Sequence, residues 1–129
     1  MKRRGSQAIE LALALPLIVV LSGGAVDVGQ YLYLTERVAA AASEGARAGA
    51  LANTAMGEDP VAIAEAASYT AWSGQELPGS LDVNAAVAGA VPSQRVVVAT
   101  TLTSTPMFAW LSLLPESVTV TRTVRLGSQ

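Results

Sequence analysis

The sequence has no cysteine and no histidine among its 129 residues. Without them the common zinc sites, thiol nucleophiles and Ser-His-Asp triads cannot be built. A disulfide framework is excluded too, so cysteine usage does not indicate a redox compartment. Charge is also scarce: only 14% of residues are charged, against about a quarter in an ordinary soluble domain. Eight Lys and Arg against ten Asp and Glu leave a formal charge of −2, so there is no basic footprint for nucleic acid. The ten carboxylates are scattered, with no motif tying any two together. No enzyme, cofactor or metal site is expected. What the chain has in excess is apolar character, with a mean hydropathy of +0.42. Its length suits a membrane segment and one modest domain, and not two domains.

The first five residues, Met1, Lys2, Arg3, Arg4 and Gly5, hold three of the eight cations. Ser6, Gln7, Ala8, Ile9 and Glu10 follow, and then an apolar run over 11–26, interrupted only by Pro16 and by Ser22, Gly23 and Gly24. A bilayer needs about 20 apolar residues. Adding Ala8 and Ile9 upstream and 28–34 downstream supplies that length as one helix. Asp27 and Gln30 would then lie near the outer headgroups, with Tyr31 and Tyr33 in the interfacial aromatic belt. The Lys2, Arg3, Arg4 cluster predicts a cytoplasmic N-terminus by the positive-inside rule, with the bulk of the chain outside.

Three readings compete for this segment: a secretory signal peptide leaving at Gly23, Gly24 and Ala25, an unprocessed signal anchor, and a short leader cut after Gly5. Glu10 weighs among them. A carboxylate within an inserting helix costs roughly 2.5–3.5 kcal/mol if central and less toward the end, so its presence points to a use. Cleavage after Gly5 would place a new ammonium on Ser6, four residues from Glu10 and on the same helix face. The carboxylate can compensate that charge in its own chain or in a neighbour. It also sits in the first turns, where the helix dipole favours an anion. The plainer alternative is that Glu10 marks the cytoplasmic edge of an anchor helix. The spacing favours the leader reading.

The basic leader, Gly5, Glu10 and apolar helix resemble the type IV prepilin signature. More narrowly, Arg4 to Pro16 (RGSQAIELALALP), followed by Ala41 to Ala50 (AASEGARAGA), is similar to the TadE-like proteins. These are minor pilins or pseudopilins of tight-adherence (Tad/Flp) pilus systems. Gly5, Glu10, Pro16, Arg47 and Gly49 fall on the family's features. The likeness is distinctive over 1–51 and loose beyond. Leu11 follows Glu10 where many major pilins of this type have an aromatic residue, which points to a minor component.

This resemblance implies processing by a prepilin peptidase between Gly5 and Ser6, with N-methylation of Ser6 as a family feature. It also implies a role for Glu10 in assembly, in contact with other pilin or pseudopilin subunits and an inner-membrane assembly platform. The alternative function is a signal-anchored extracytoplasmic scaffold or binding module unrelated to pili.

Beyond the membrane the chain is rich in alanine and free of proline as far as Leu51, so the helix is expected to continue. Over 7–51 it would measure roughly 65–70 Å at ~1.5 Å per residue, with Pro16 and Gly23-Gly24 as points of bending. Ala39, Ala42, Ala46, Gly49 and Asn53 fall on one narrow face, opposite Arg37, Glu44 and Arg47. Such a face lets another element approach closely. It would rest either on the chain's own C-terminal domain, the favoured reading, or on a neighbouring subunit.

Asp59 followed by Pro60 is a strong helix start, predicting a second helix over 60–72 with Trp72 as a core anchor. From Leu81 the period becomes two. Strands are expected over 81–88, 94–103 and 117–126, with Val118, Val120, Val124 and Leu126 on one face of the third and Arg122 intruding on it. Between the last two lies 105–115, whose Met107, Phe108, Trp110, Leu111, Leu113 and Leu114 exceed what a hairpin loop needs. It either folds back as a lid on the sheet or exposes Phe108 and Trp110 as an interface to a bilayer or partner.

The expected fold is therefore α+β: a long N-terminal helix forming membrane segment and stalk, a second short helix and an antiparallel sheet of about three strands. The expected divisions are a leader over 1–5, a transmembrane helix over 6–34, its exposed continuation over 35–52 and an extracytoplasmic domain over 53–129.

Overall fold

The computed structural model describes residues 3–73, 79–90, 93–105 and 114–126, with side chains from residue 7 onward. Helix α1, Arg3–Ala50, is one assignment of 48 residues that continues through Pro16 and through Gly23-Gly24. At ~1.5 Å per residue that is about 72 Å. Alanine- and leucine-rich composition favours the helix throughout. Pro16 removes one backbone donor from the helix, which continues past it.

α1 stops where its last amides find bent partners. The Leu51 N–H is shared between the Arg47 and Ala48 carbonyls, and the Ala52 N–H donates to Gly49 O. A short 3-10 turn, Thr54–Met56, then reverses the chain. Asn53 caps it by accepting from the Met56 N–H (3.2 Å), and Glu58 Oε2 accepts from the Asn53 N–H (2.7 Å). Gly57 closes the turn at φ 82°, a left-handed conformation that glycine adopts without a steric cost. Asp59 Oδ1 then accepts from the Val61 N–H (2.9 Å), opening α2, Pro60–Trp72. The helix starts where the Asp59-Pro60 signal placed it and spans the expected 60–72.

Three strands follow, β1 (Ser80–Ala88), β2 (Arg95–Thr103) and β3 (Ser117–Arg125), forming an antiparallel meander with β2 central. The register pairs Leu81 with Leu102, Val87 with Val96, Val98 with Arg122 and Leu102 with Val118. Alternation places Val96, Val98, Thr100 and Leu102 of β2 on the buried face, with Val83 and Ala85 of β1 and Val118 of β3. The fold class is the expected α+β arrangement of a long helix, a short helix and a three-stranded sheet.

The core joins α1 to both remaining layers at two levels. Nearer the N-terminal half of α1, Leu34 and Val38 are buried with Leu102, flanked by Trp72, Leu81 and Val120. Nearer its C-terminal end, Ala46 and Ala64 are buried with Val83, Ala85, Val96 and Val98. Both edge strands therefore run away from the N-terminal half of α1, and β2 runs back toward it.

The α1–α2 contact depends on two glycines. A Cβ on Gly45 would overlap Ser68 Oγ and stand 2.6 Å from the Ala64 carbonyl oxygen, and one on Gly49 would stand 2.7 Å from the Pro60 carbonyl oxygen. Neither backbone atom can move aside cheaply. Gly45→Val should cost about 1–3 kcal/mol through overpacking, read as a lower urea midpoint for the head's unfolding in detergent micelles. A Gly29→Ala control, with open space around it, should leave that midpoint unchanged. Thr100 is fully buried, and its hydroxyl has no hydrogen-bond partner among the described residues. Thr100→Val keeps the shape and removes an unpaid desolvation, so the same measurement should show a gain of about 1 kcal/mol.

Candidate assembly surface and membrane helix

Residues 7–22 of α1 are exposed on every side, although they are almost wholly apolar. Ile9, Leu11, Leu13, Leu17 and Leu21 each leave more than half of their surface open. A helix apolar around its whole circumference and uncovered by protein requires an apolar solvent. Over Gln7–Ala50 the helix is long and apolar enough to cross a membrane, and only 6% of its most apolar window is buried within the protein.

Burial on α1 starts at Gly23 and Asp27. Asp27, which the sequence placed by its level along the helix, is 2% exposed. With Gln30, Tyr31 and Leu34 it faces Ser104, Thr105, Leu114 and Pro115 across a small cavity. These four head residues flank the apolar segment between β2 and β3, so the segment starts and ends at the point where α1 enters the head. Phe108 and Trp110 themselves lie outside the described residues. One turn further along, Arg37 stacks over the Tyr33 ring at 5.4 Å and its Nε donates to the Tyr33 hydroxyl (3.2 Å). That pair suits the water–lipid boundary, where an amphipathic ring and a long cationic side chain can share apolar and polar surroundings.

Gly5 and Ser6 fall within α1, and Glu10 is exposed one turn beyond Ser6. Of the small-residue face, Ala42, Ala46 and Gly49 are buried and Ala39 is half-buried. Gly49 meets α2 and the Val96 side chain, and Ala46 joins the core shared with the sheet. Asn53, placed on that face by periodicity, lies past the helix end and serves as the turn cap. Gly45 is a buried contact that the periodicity argument did not select, although the GARAG spacing of Gly45 and Gly49 was a readable sign of a close helix approach. Glu44 and Arg47 are exposed on the opposite side.

Arg122 lies on the helix-facing side of β3, as alternation required. Its Nε donates to the Ser43 hydroxyl oxygen at 3.3 Å. On the solvent face Thr101 and Thr119 share a hydrogen bond across the strands (3.1 Å). Among the described residues no group of three or more carboxylates is placed to hold a metal ion.

Comparison with known proteins agrees with the N-terminal half of this description. No curated protein and no solved structure matches the chain. The family model described as TadE-like protein matches residues 5–47. That match covers the exposed apolar part of α1 and most of its buried continuation, about a third of the chain. Residues 5–47 are thus similar to the TadE-like family over about a third of the chain.

Proposed function

We propose that the chain is a minor pilin or pseudopilin, cut by a prepilin peptidase after Gly5 and assembled into a Tad-type pilus through its N-terminal helix. One observation carries the reading. The TadE-like match begins at residue 5, the last residue of the expected leader, and runs through the apolar part of α1, which the head leaves bare. An apolar helix of this kind has two environments open to it: lipid before assembly, and the helices of neighbouring subunits after it.

In this reading 1–5 is the leader, 6–34 the membrane segment, 35–52 its continuation and 53–129 the extracytoplasmic domain. The N-terminus is cytoplasmic and the head lies outside the inner membrane. The Ser6 ammonium created by cleavage is a full charge in apolar surroundings. Glu10, one turn away, supplies the opposite charge within the chain or to the next subunit. Because the head already covers Ala42, Ala46 and Gly49, subunit contacts fall to the bare segment 7–22 and to the exposed side around Glu44 and Arg47. The partners are the peptidase, other pilin-type subunits and the inner-membrane assembly platform.

Two measurements test this. The mass of the membrane-extracted chain should correspond to a start at Ser6 when the peptidase is present and at Met1 when it is absent. A mature chain that keeps Met1 despite the peptidase, or begins near Ala25, would overturn the pilin reading. Glu10→Ala should insert normally yet disappear from the sheared fibre fraction. Unchanged incorporation would remove the role assigned to Glu10.

A further inference from the structure

The two edges of the sheet are finished differently. At the ends of the β2–β3 ladder, the Ser104 N–H donates to Glu116 O and the Leu126 N–H to Gln94 O, both at 3.0 Å. This phase sends the amides and carbonyls of even-numbered β3 residues to β2. Those of Ser117, Thr119, Thr121, Thr123 and Arg125 point away from the sheet. By the same phase the odd-numbered residues of β1 point outward. The structure bears this out at Ala85, whose N–H donates to Glu65 Oε1 of α2 at 3.2 Å. The β1 edge is thus blocked at its middle by a side chain. Along β3, among the described residues, no backbone group outside the sheet takes up the outward amides, and Thr119, Thr121, Thr123 and Arg125 are exposed.

We propose that the β3 edge is a docking site for an acidic extended segment of a different subunit, added as a fourth strand antiparallel to β3. A row of outward amides and carbonyls at strand spacing is complementary to another extended backbone.

Charge determines the kind of strand. β3 carries Arg122 and Arg125 and no acidic residue. Arg125 stands directly opposite Arg95, a like-charge pair that is destabilising across strands. An open cleft of 330 Å³ lies between them, lined by Ser93, Arg95, Thr123 and Arg125. A carboxylate entering beside Arg125 would relieve that repulsion. Arg122, on the helix-facing side, excludes an apolar neighbour at its level and accepts a second carboxylate.

A second copy does not fit. This step rests on the membrane anchoring proposed above. Both edge strands run away from the membrane half of α1, so a copy anchored in the same orientation can offer only a parallel strand. Its β3 would bring Arg122 and Arg125 against their own kind. Its β1 has one charged residue, Asp82, at the opposite end, and its middle amide is held by Glu65.

The test uses the full chain in lipid nanodiscs and a nine-residue peptide of alternating valine and threonine with glutamate at its first and fourth positions. Hydrogen exchange should slow at the amides of Ser117, Thr119, Thr121, Thr123 and Arg125 when the peptide is added. Thr121→Pro removes one outward amide without touching the β2 ladder, and should weaken binding at least about tenfold. A lysine version of the peptide should bind about threefold more weakly, and Arg125→Glu should reverse that order. The reversal can be read even where Thr121→Pro disturbs the head. An absence of slowing, binding untouched by Thr121→Pro in a chain that keeps its β2–β3 protection, or equal binding of both peptides would overturn the proposal. So would protection that rises with chain concentration when no peptide is present, because a second copy would then occupy the edge. Processing at Gly5 and the role of Glu10 do not enter this measurement, so its failure leaves them standing.

Discussion

The head is held to the stalk by the close approach of α1 to α2 at Gly45 and Gly49. At both positions the space a side chain would need is filled by Ser68, Ala64 and the Pro60 carbonyl. Because the two helices lie this close, the sheet reaches both at once, and Ala46 and Ala64 share one core with Val83, Ala85, Val96 and Val98. Small residues on α1 do not contribute much apolar area by themselves. They bring larger groups on three elements within van der Waals range, and the summed dispersion and burial follow from that proximity.

This arrangement divides α1 along its length. The segment 7–22 has no protein cover and is suited to lipid or to other helices, whereas the part from Asp27 onward is committed to its own head. In the proposed role, the division also separates two kinds of contact a fibre subunit needs. A bare apolar helix offers affinity with little directional specificity, since helix packing in an apolar medium depends on shape and a few polar groups. The head offers direction. One sheet edge is blocked at its middle by Glu65 and the other presents five outward backbone positions with Arg122 and Arg125 toward one end.

Much of the fold was legible in the sequence because local signals agreed with the tertiary arrangement. Asp59-Pro60 marked the start of α2 at the residue observed, through capping chemistry that depends only on neighbours. The change to a period of two marked strands over 81–88, 94–103 and 117–126, within a residue of those observed. The segment containing Phe108 and Trp110 had no period, and periodicity could not assign it. The burial of Asp27 went unforeseen for a related reason. Hydropathy reads a charged residue near a helix end as an interfacial one, and it has no means of showing that Ser104, Thr105, Leu114 and Pro115 return to cover it. Gly45 was passed over because wheel geometry ranks faces by their mean angle, while a close crossing is decided by the partner helix.

By itself the sequence determined the element types, the apolar N-terminal helix and the leader-like spacing of Gly5 and Glu10, all of which depend on interactions within a few residues along the chain. Only the tertiary structure decided which face of the stalk is consumed within the molecule and which edge of the sheet is left open. Those two outcomes depend on contacts between residues far apart in sequence. Ala85 meets Glu65 and Arg122 meets Ser43, and no local periodicity encodes either pairing.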